Sequence, residues 1–208
     1  MYVPKSFEMT TDEIQDLLVN HGAGDLITNT AAGLLATFLP FTYEAAAGTS
    51  GALHGHVARN NEQWSKPAAG ESLVILRGID GYVSPGWYAS KAEHGRVVPT
   101  WNYVTVHVYG TLVIHDDPEW VRDAVTALTL KHEASRPMPW SVTDAPPAFI
   151  SGQLAAIVGL ELRITRVEAK MKLSQNRPPA DIDGVVHEMR EAGQVQMSEA
   201  VQAARPTN

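Results

Sequence analysis

His54 and His56 stand two apart in the run Leu53 to Arg59. A strand there turns both imidazoles to one face, where they can meet one ligand. A neutral imidazole either donates to a ring carbonyl or ligates iron, according to its tautomer and the partner of its other nitrogen. Histidines held by hydrogen bonds at the mouth of a barrel are the plain alternative. Arg59 and Lys91 are candidate partners for a dianionic phosphate, with Ser84 and Thr100 as neutral donors; ordinary surface cations and turn hydroxyls fit the same pattern. Trp87, Tyr88 and Trp101 offer flat faces that stack on a planar ligand or else fill a core. Asn102 can bond the polar edge of such a ligand or close the turn before a strand. His115-Asp116-Asp117 looks like a metal-ligand run, but Asp117 is better placed as a helix cap. No G-x-S-x-G or H-E-x-x-H spacing occurs, which disfavours hydrolytic chemistry.

These side chains need strands to hold them. Val104, Val106 and Val108 alternate with Tyr103, Thr105, His107 and Tyr109, the period of a strand with two different faces. Glu71 to Arg77 reads as a strand buried on both faces. Tyr82 and Val83 end a strand, Ser84-Pro85-Gly86 turns, and Trp87 to Lys91 makes a short helical turn. Asp25 to Thr30 and Leu34 to Thr42 form a hairpin about Ala31-Ala32-Gly33, with Pro40 marking an edge or bulge.

Leu160, Leu162 and Ile164 alternate with Glu161, Arg163 and Thr165 in a strand whose phase slips at Arg166-Val167 and which runs on toward Lys172. Helices are expected after a capping box at Thr10 and Glu13, from Asp117-Pro118, from Pro146-Pro147 to a stop at Gly159, and over Asp181 to Ala192. Residues from about Ser198 are expected to fray. The class is α+β, mainly antiparallel β.

The chain has 208 residues, 16 basic against 23 acidic side chains, and a formal net charge of −7. That balance gives no global field for phosphate backbones, and no basic recognition helix stands out, so direct DNA binding is disfavoured. Absence of cysteine excludes disulfides and thiolate ligands and agrees with a reducing compartment. No apolar run approaches the ~20 residues that cross a bilayer, and Lys5 precedes polar sequence, so the expectation is a cytoplasmic protein without a membrane partner.

Four segments, LHGHVARNNEQW (53–64), YVSPGWYASK (82–91), VPTWNYVTVHVYG (98–110) and KLSQNR (172–177), carry a resemblance. In order and spacing they look like the PaiB family, described as FMN-binding negative transcriptional regulators. The likeness runs from MYVPKSF to about Arg177. It implies an FMN-binding split barrel with peripheral helices, a homodimer, and cofactor near the subunit interface. On that reading residues 1–177 form the barrel with an N-terminal helix, and 178–208 add a helix and tail to the same domain. The resemblance implies that FMN is met by His54, His56, Arg59, Ser84, Trp87, Lys91, Thr100, Trp101 and Asn102. It adds Lys172, Ser174 and Gln175, which reach cofactor or the neighbouring subunit, or else merely cap a strand end. FMN brings its own redox chemistry, and the protein positions it. The haem-dependent piperazate synthases, which form an N–N bond, resemble the same family. Haem b, with His56 as axial ligand, is therefore the alternative cofactor. The intact Trp87 and Lys91 region sides with the regulator branch.

Overall fold

The computed structural model describes residues 1–206. Seven strands make one sheet: β1 (Ala23–Thr30), β2 (Gly33–Pro40), β3 (Thr42–Glu44), β4 (Ala52–Ala58), β5 (Ser72–Val83), β6 (Thr100–His115) and β7 (Ile157–Lys172). Their order is β2-β1-β5-β6-β7-β4-β3, and β1–β2, β1–β5, β3–β4 and β4–β7 pair antiparallel. Two compact units draw on interleaved parts of the chain. One is built from Gln15–Leu76 and His107–Glu168, the other from Met1–Ile14, Arg77–Val106 and the chain from Ala169 on.

In the first unit, β1 and β2 form the expected hairpin, with Thr30 paired to Gly33. The turn is only Ala31-Ala32. Gly33 already belongs to β2, at φ 108, which an L side chain rarely adopts. Because β2 is the edge strand, Pro40 at its end costs no ladder bond. A short helix α1 (Thr11–Asn20) precedes the hairpin, and its start carries the predicted box, with Thr10 N–H donating to Glu13 and Glu13 N–H to the Thr10 hydroxyl. After β4, Asn61 caps α2 (Glu62–Ser65), and the buried Gln63 amide bridges the hydroxyls of Thr28 and Thr37.

Three more helices follow in chain order: α3 (Ser90–His94), α4 (Pro118–Glu133) and α5 (Pro147–Ala155). The Asp117 carboxylate accepts the Trp120 N–H at 3.1 Å and starts α4 as its sequence suggests. Val121 on α4 packs with Val142, Ile150 and Leu154 into one buried cluster, each side chain contributing roughly 1.5–3 kcal/mol by leaving water. Gly159 does not close α5. That helix stops at Ala155, and Gly159 lies inside β7, where a Cβ would come 2.3 Å from the Trp120 ring. Its smallness serves a close approach instead of a helix end.

In the second unit, α6 (Pro179–Glu191) buries Ile182, Val185 and Met189, the stripe its sequence shows. It begins two residues before Asp181, and the buried Asp181 carboxylate accepts both the N–H and the hydroxyl of Ser90 on α3. The tail does not fray at Ser198. It forms α7 (Val195–Ala203), which buries Met197, Ser198 and Val201, and the Ser198 hydroxyl donates to the Val186 carbonyl at 2.7 Å. Two buried apolar side chains and that hydrogen bond outweigh the entropy of a short terminal segment. No helix among the described residues is long and apolar enough to cross a membrane.

Candidate functional site

The residues expected to meet the cofactor fall in both units: His54, His56 and Arg59 in the first, and Ser84, Trp87, Lys91, Thr100, Trp101, Asn102, Lys172, Ser174 and Gln175 in the second. In the second unit, β6 begins with Thr100, Trp101 and Asn102, and β7 ends at Lys172. The chain then turns through Ser174, the sole described non-glycine residue with positive φ, at 68°. A serine pays for that left-handed conformation and must be held in it. Asn102, fully buried, holds it: its amide donates to the Ser174 hydroxyl at 3.0 Å, and the hydroxyl returns a bond to the Asn102 carbonyl oxygen at 3.3 Å. The Gln175 side chain folds back, donating to the Met171 carbonyl at 2.6 Å and accepting the Leu173 N–H at 2.7 Å.

This braced turn fixes a group of cations. Lys172 Nζ donates to the Thr100 hydroxyl and, at 2.8 Å, to the Trp101 carbonyl. Lys170 donates to the Tyr2 carbonyl and lies 5.4 Å from the centre of the Tyr103 ring; the Arg177 guanidinium lies 4.4 Å over Tyr88. No acidic side chain among the described residues forms an ion pair with Lys170, Lys172 or Arg177. Burial, followed by repulsion from Lys170 and Arg177, holds the Lys172 ammonium below the usual lysine pKa. A bound anion would relieve that crowding.

Beside Thr100, the Trp101 ring is half-exposed, and its indole N–H donates to Asp80 at 2.9 Å. Its centre lies 6.2 Å from that of the exposed Tyr82. The two rings line a groove of about 720 Å³ whose other wall is Gly193 to Met197. The Ser84 hydroxyl accepts the Gly86 N–H at 3.1 Å and so caps the 3-10 turn Pro85–Trp87. The Trp87 carbonyl sits against Gly184, where a Cβ would meet it at 2.0 Å. Lys91 is exposed, its ammonium 3.9 Å from where a Gly86 Cβ would stand.

In the first unit the two histidines of β4 meet different surroundings. His54 pairs in register with Glu161 on β7, and His56 with Gly159. Glu161 is buried, although strand alternation puts it on the face opposite Leu160 and Leu162. One of its oxygens receives His115 Nε2 at 2.8 Å and an Arg163 N–H at 3.1 Å; the other lies 3.9 Å from His54 Nε2. Burial pushes the Glu161 carboxyl up, but the bonds from Arg163 and His115 prevail and hold it below the usual carboxylate range. His115 is stacked flat on Trp120 at 4.0 Å, and His54 tilts against the same indole at 5.1 Å. Burial lowers the His54 pKa, with Glu161 and Glu44 opposing it, and lowers that of His56 with no opposing partner.

Arg59, just beyond β4, is occupied by protein groups. Its guanidinium grips Asp116 through two bonds of 3.1 and 2.6 Å and donates to the carbonyls of Ala155 and Ile157. His115, Trp120 and Glu161 were not singled out together by sequence, because only the β4–β7 register and the Trp120 contact with Gly159 unite them.

The fold is that of the split-barrel proteins. A conserved hypothetical protein of Mycobacterium tuberculosis superposes with a TM-score of 0.57 at 13% identity, over 86% of this chain and 94% of its own. The flavocytochrome Anf3 of Azotobacter vinelandii also gives 0.57, at 11% identity, over 82% of this chain and 72% of its own. Sequence narrows the class. Residues 1–166 match the family described as "Putative FMN-binding domain". The Protease synthase and sporulation protein PAI 2 of Bacillus subtilis is 31% identical over 192 residues, covering 91% of this chain and 89% of the relative. The chain belongs to this PaiB family of FMN-binding-domain proteins.

Proposed function

We propose that the protein binds FMN and works as a flavin-linked redox protein. The observation that carries this reading is the unpaired cation group of Lys170, Lys172 and Arg177 beside Thr100, in a chain that is acidic overall. A dianionic phosphate supplies the missing counter-charge, bound by charge-assisted hydrogen bonds from Lys172 and a neutral one from Thr100. Trp101 and Tyr82, their rings tilted 59° to each other, offer aromatic surface in a groove whose size suits a cofactor. FMN, when bound, supplies the electron-transfer chemistry. The protein's own residues hold its phosphate, orient it, and shield it from water.

Ser84, Trp87, Lys91, Asn102 and Gln175 belong to the same proposal as residues that contact or brace the cofactor, whereas His54 and His56 lie in the other unit and enter only with the second reading below. Arg59 lies in the same unit as the histidines, where Asp116 and two carbonyls already take most of its donors. The proposal includes a cytoplasmic homodimer, for which the exposed Leu34 and Phe38 on edge strand β2 supply apolar surface. Direct DNA binding is not part of it, given the net charge of −7.

The test is an absorption spectrum of the purified protein, followed by titration with FMN. Flavin bands, or saturable quenching of FMN fluorescence that weakens in Lys172→Ala, support the reading. No bands and no saturable quenching refute it.

Haem b is the second reading, favoured by the unpartnered imidazole of His56 at a cavity wall. It fits less well. That cavity, about 270 Å³, is lined by no cation for the two haem carboxylates. A Soret band lost in His56→Ala would favour haem over FMN.

A further inference from the structure

The first unit contains a separate cavity of about 270 Å³ whose walls include His56, Trp140, Phe149, Ile150, Gln153 and Leu154. We infer that it is a binding site for a neutral aromatic molecule of one or two rings carrying a single hydrogen-bonding group. This goes beyond the FMN reading, whose phosphate and ring contacts lie in the other unit.

Size, polarity and exposure each bear on the ligand. An apolar cavity of about 150 Å³ holds one benzene, so this one has room for one to two fused rings. Its floor is preformed, because Ile150 and Leu154 belong to the buried cluster with Val121 and Val142. Its mouth is unfinished. Trp140 is 44% exposed and Phe149 57%, so two large aromatic side chains sit at the rim with much of their surface in water. Covering them with an apolar ring recovers about 25 cal/mol for each Å² removed from water.

Among the lining residues only His56, Gln153 and the indole N–H of Trp140 offer polar side-chain groups, and none is charged at neutral pH, since burial alone keeps the His56 imidazole neutral. A charged ligand would therefore lose its hydration without gaining a counter-ion. A ligand with one hydroxyl or carbonyl would instead find one imidazole partner, the arrangement that fixes orientation in mostly apolar pockets.

The experiment uses the intact protein with 2-naphthol as probe, followed by saturation-transfer NMR and equilibrium dialysis. Expected are saturable binding at one site per chain and binding of the anionic 2-naphthalenesulfonate at least tenfold weaker. Gln153 is exposed, so Gln153→Trp fills the cavity without cutting into the core, and it should abolish 2-naphthol binding. His56→Leu should reduce affinity for 2-naphthol about fivefold to tenfold while leaving naphthalene unchanged, the effect of losing one hydrogen bond. FMN titration of Gln153→Trp should match that of the unaltered protein, which separates failure of this site from failure of the flavin reading. Three results would overturn the inference: unsaturable uptake of 2-naphthol, wild-type binding in Gln153→Trp, or a His56-dependent Soret band that makes haem the occupant.

Discussion

His115 and Glu161 are joined by a 2.8 Å contact between Nε2 and Oε2, and the same imidazole lies flat on Trp120, 4° from parallel. A buried carboxylate, two histidines and an indole are thereby tied into one assembly. Its charge state sets how the fold responds to acid. Glu161 has a folded pKa below its unfolded one, so its contribution is present above the unfolded value and is lost as pH falls through the folded value. His54 and His56 also have lowered folded pKa values, so the folded state resists their protonation and loses stability as pH drops below the unfolded value near 6.5. The signs agree. Thermal unfolding should show a Tm that falls from pH 7.5 to pH 5.0 on account of the histidines and falls further below pH 4.5, the range in which Glu161→Gln should flatten the profile. A Tm constant over the range would contradict the assignment.

Lys172 is expected to matter for anion binding more than for folding. Lys172→Met should weaken FMN binding by about tenfold to a hundredfold, the worth of a charge-assisted bond, with circular dichroism unchanged. Free phosphate should compete with FMN for the unaltered protein and not for the variant.

Gly159 is a packing requirement. In Gly159→Ala the new methyl would stand 2.3 Å from the Trp120 ring, so α4 or β7 must shift. Such overpacking should cost about 1–3 kcal/mol, read from urea unfolding, and should change the near-ultraviolet signal of Trp120.

Phe38 is 71% exposed on edge strand β2, with Leu34 at 74% on the same face. Phe38→Lys should convert the proposed dimer to a species near the 22.6 kDa chain mass by light scattering, without lowering chain stability. An unaltered protein that is already monomeric would remove the dimer from the proposal.

Local signals were the legible ones. The box at Thr10 and Glu13, the Asp117 cap and the hairpin at Thr30 depend on neighbours within a few residues, and all stand as expected. The phase slip in β7 also stands: Leu160, Leu162 and Ile164 are buried, then Ala169, on the other parity. What escaped depends on distant partners. Gly159 looked like a helix stop because nothing local announces Trp120 above it. Glu161 stood out only as a residue alternating with Leu160 and Leu162, because its burial comes from strand register and from α4. The Arg59 bond to Asp116 spans 57 positions, and only the fold reveals it. The Asn102–Ser174 brace spans 72 positions, and no periodicity foretells it.

The flat stacking of His115 on Trp120 gives the protein a built-in optical reporter. Parting the two rings would change the surroundings of that indole, so its own emission can follow loss of the assembly without label or added dye.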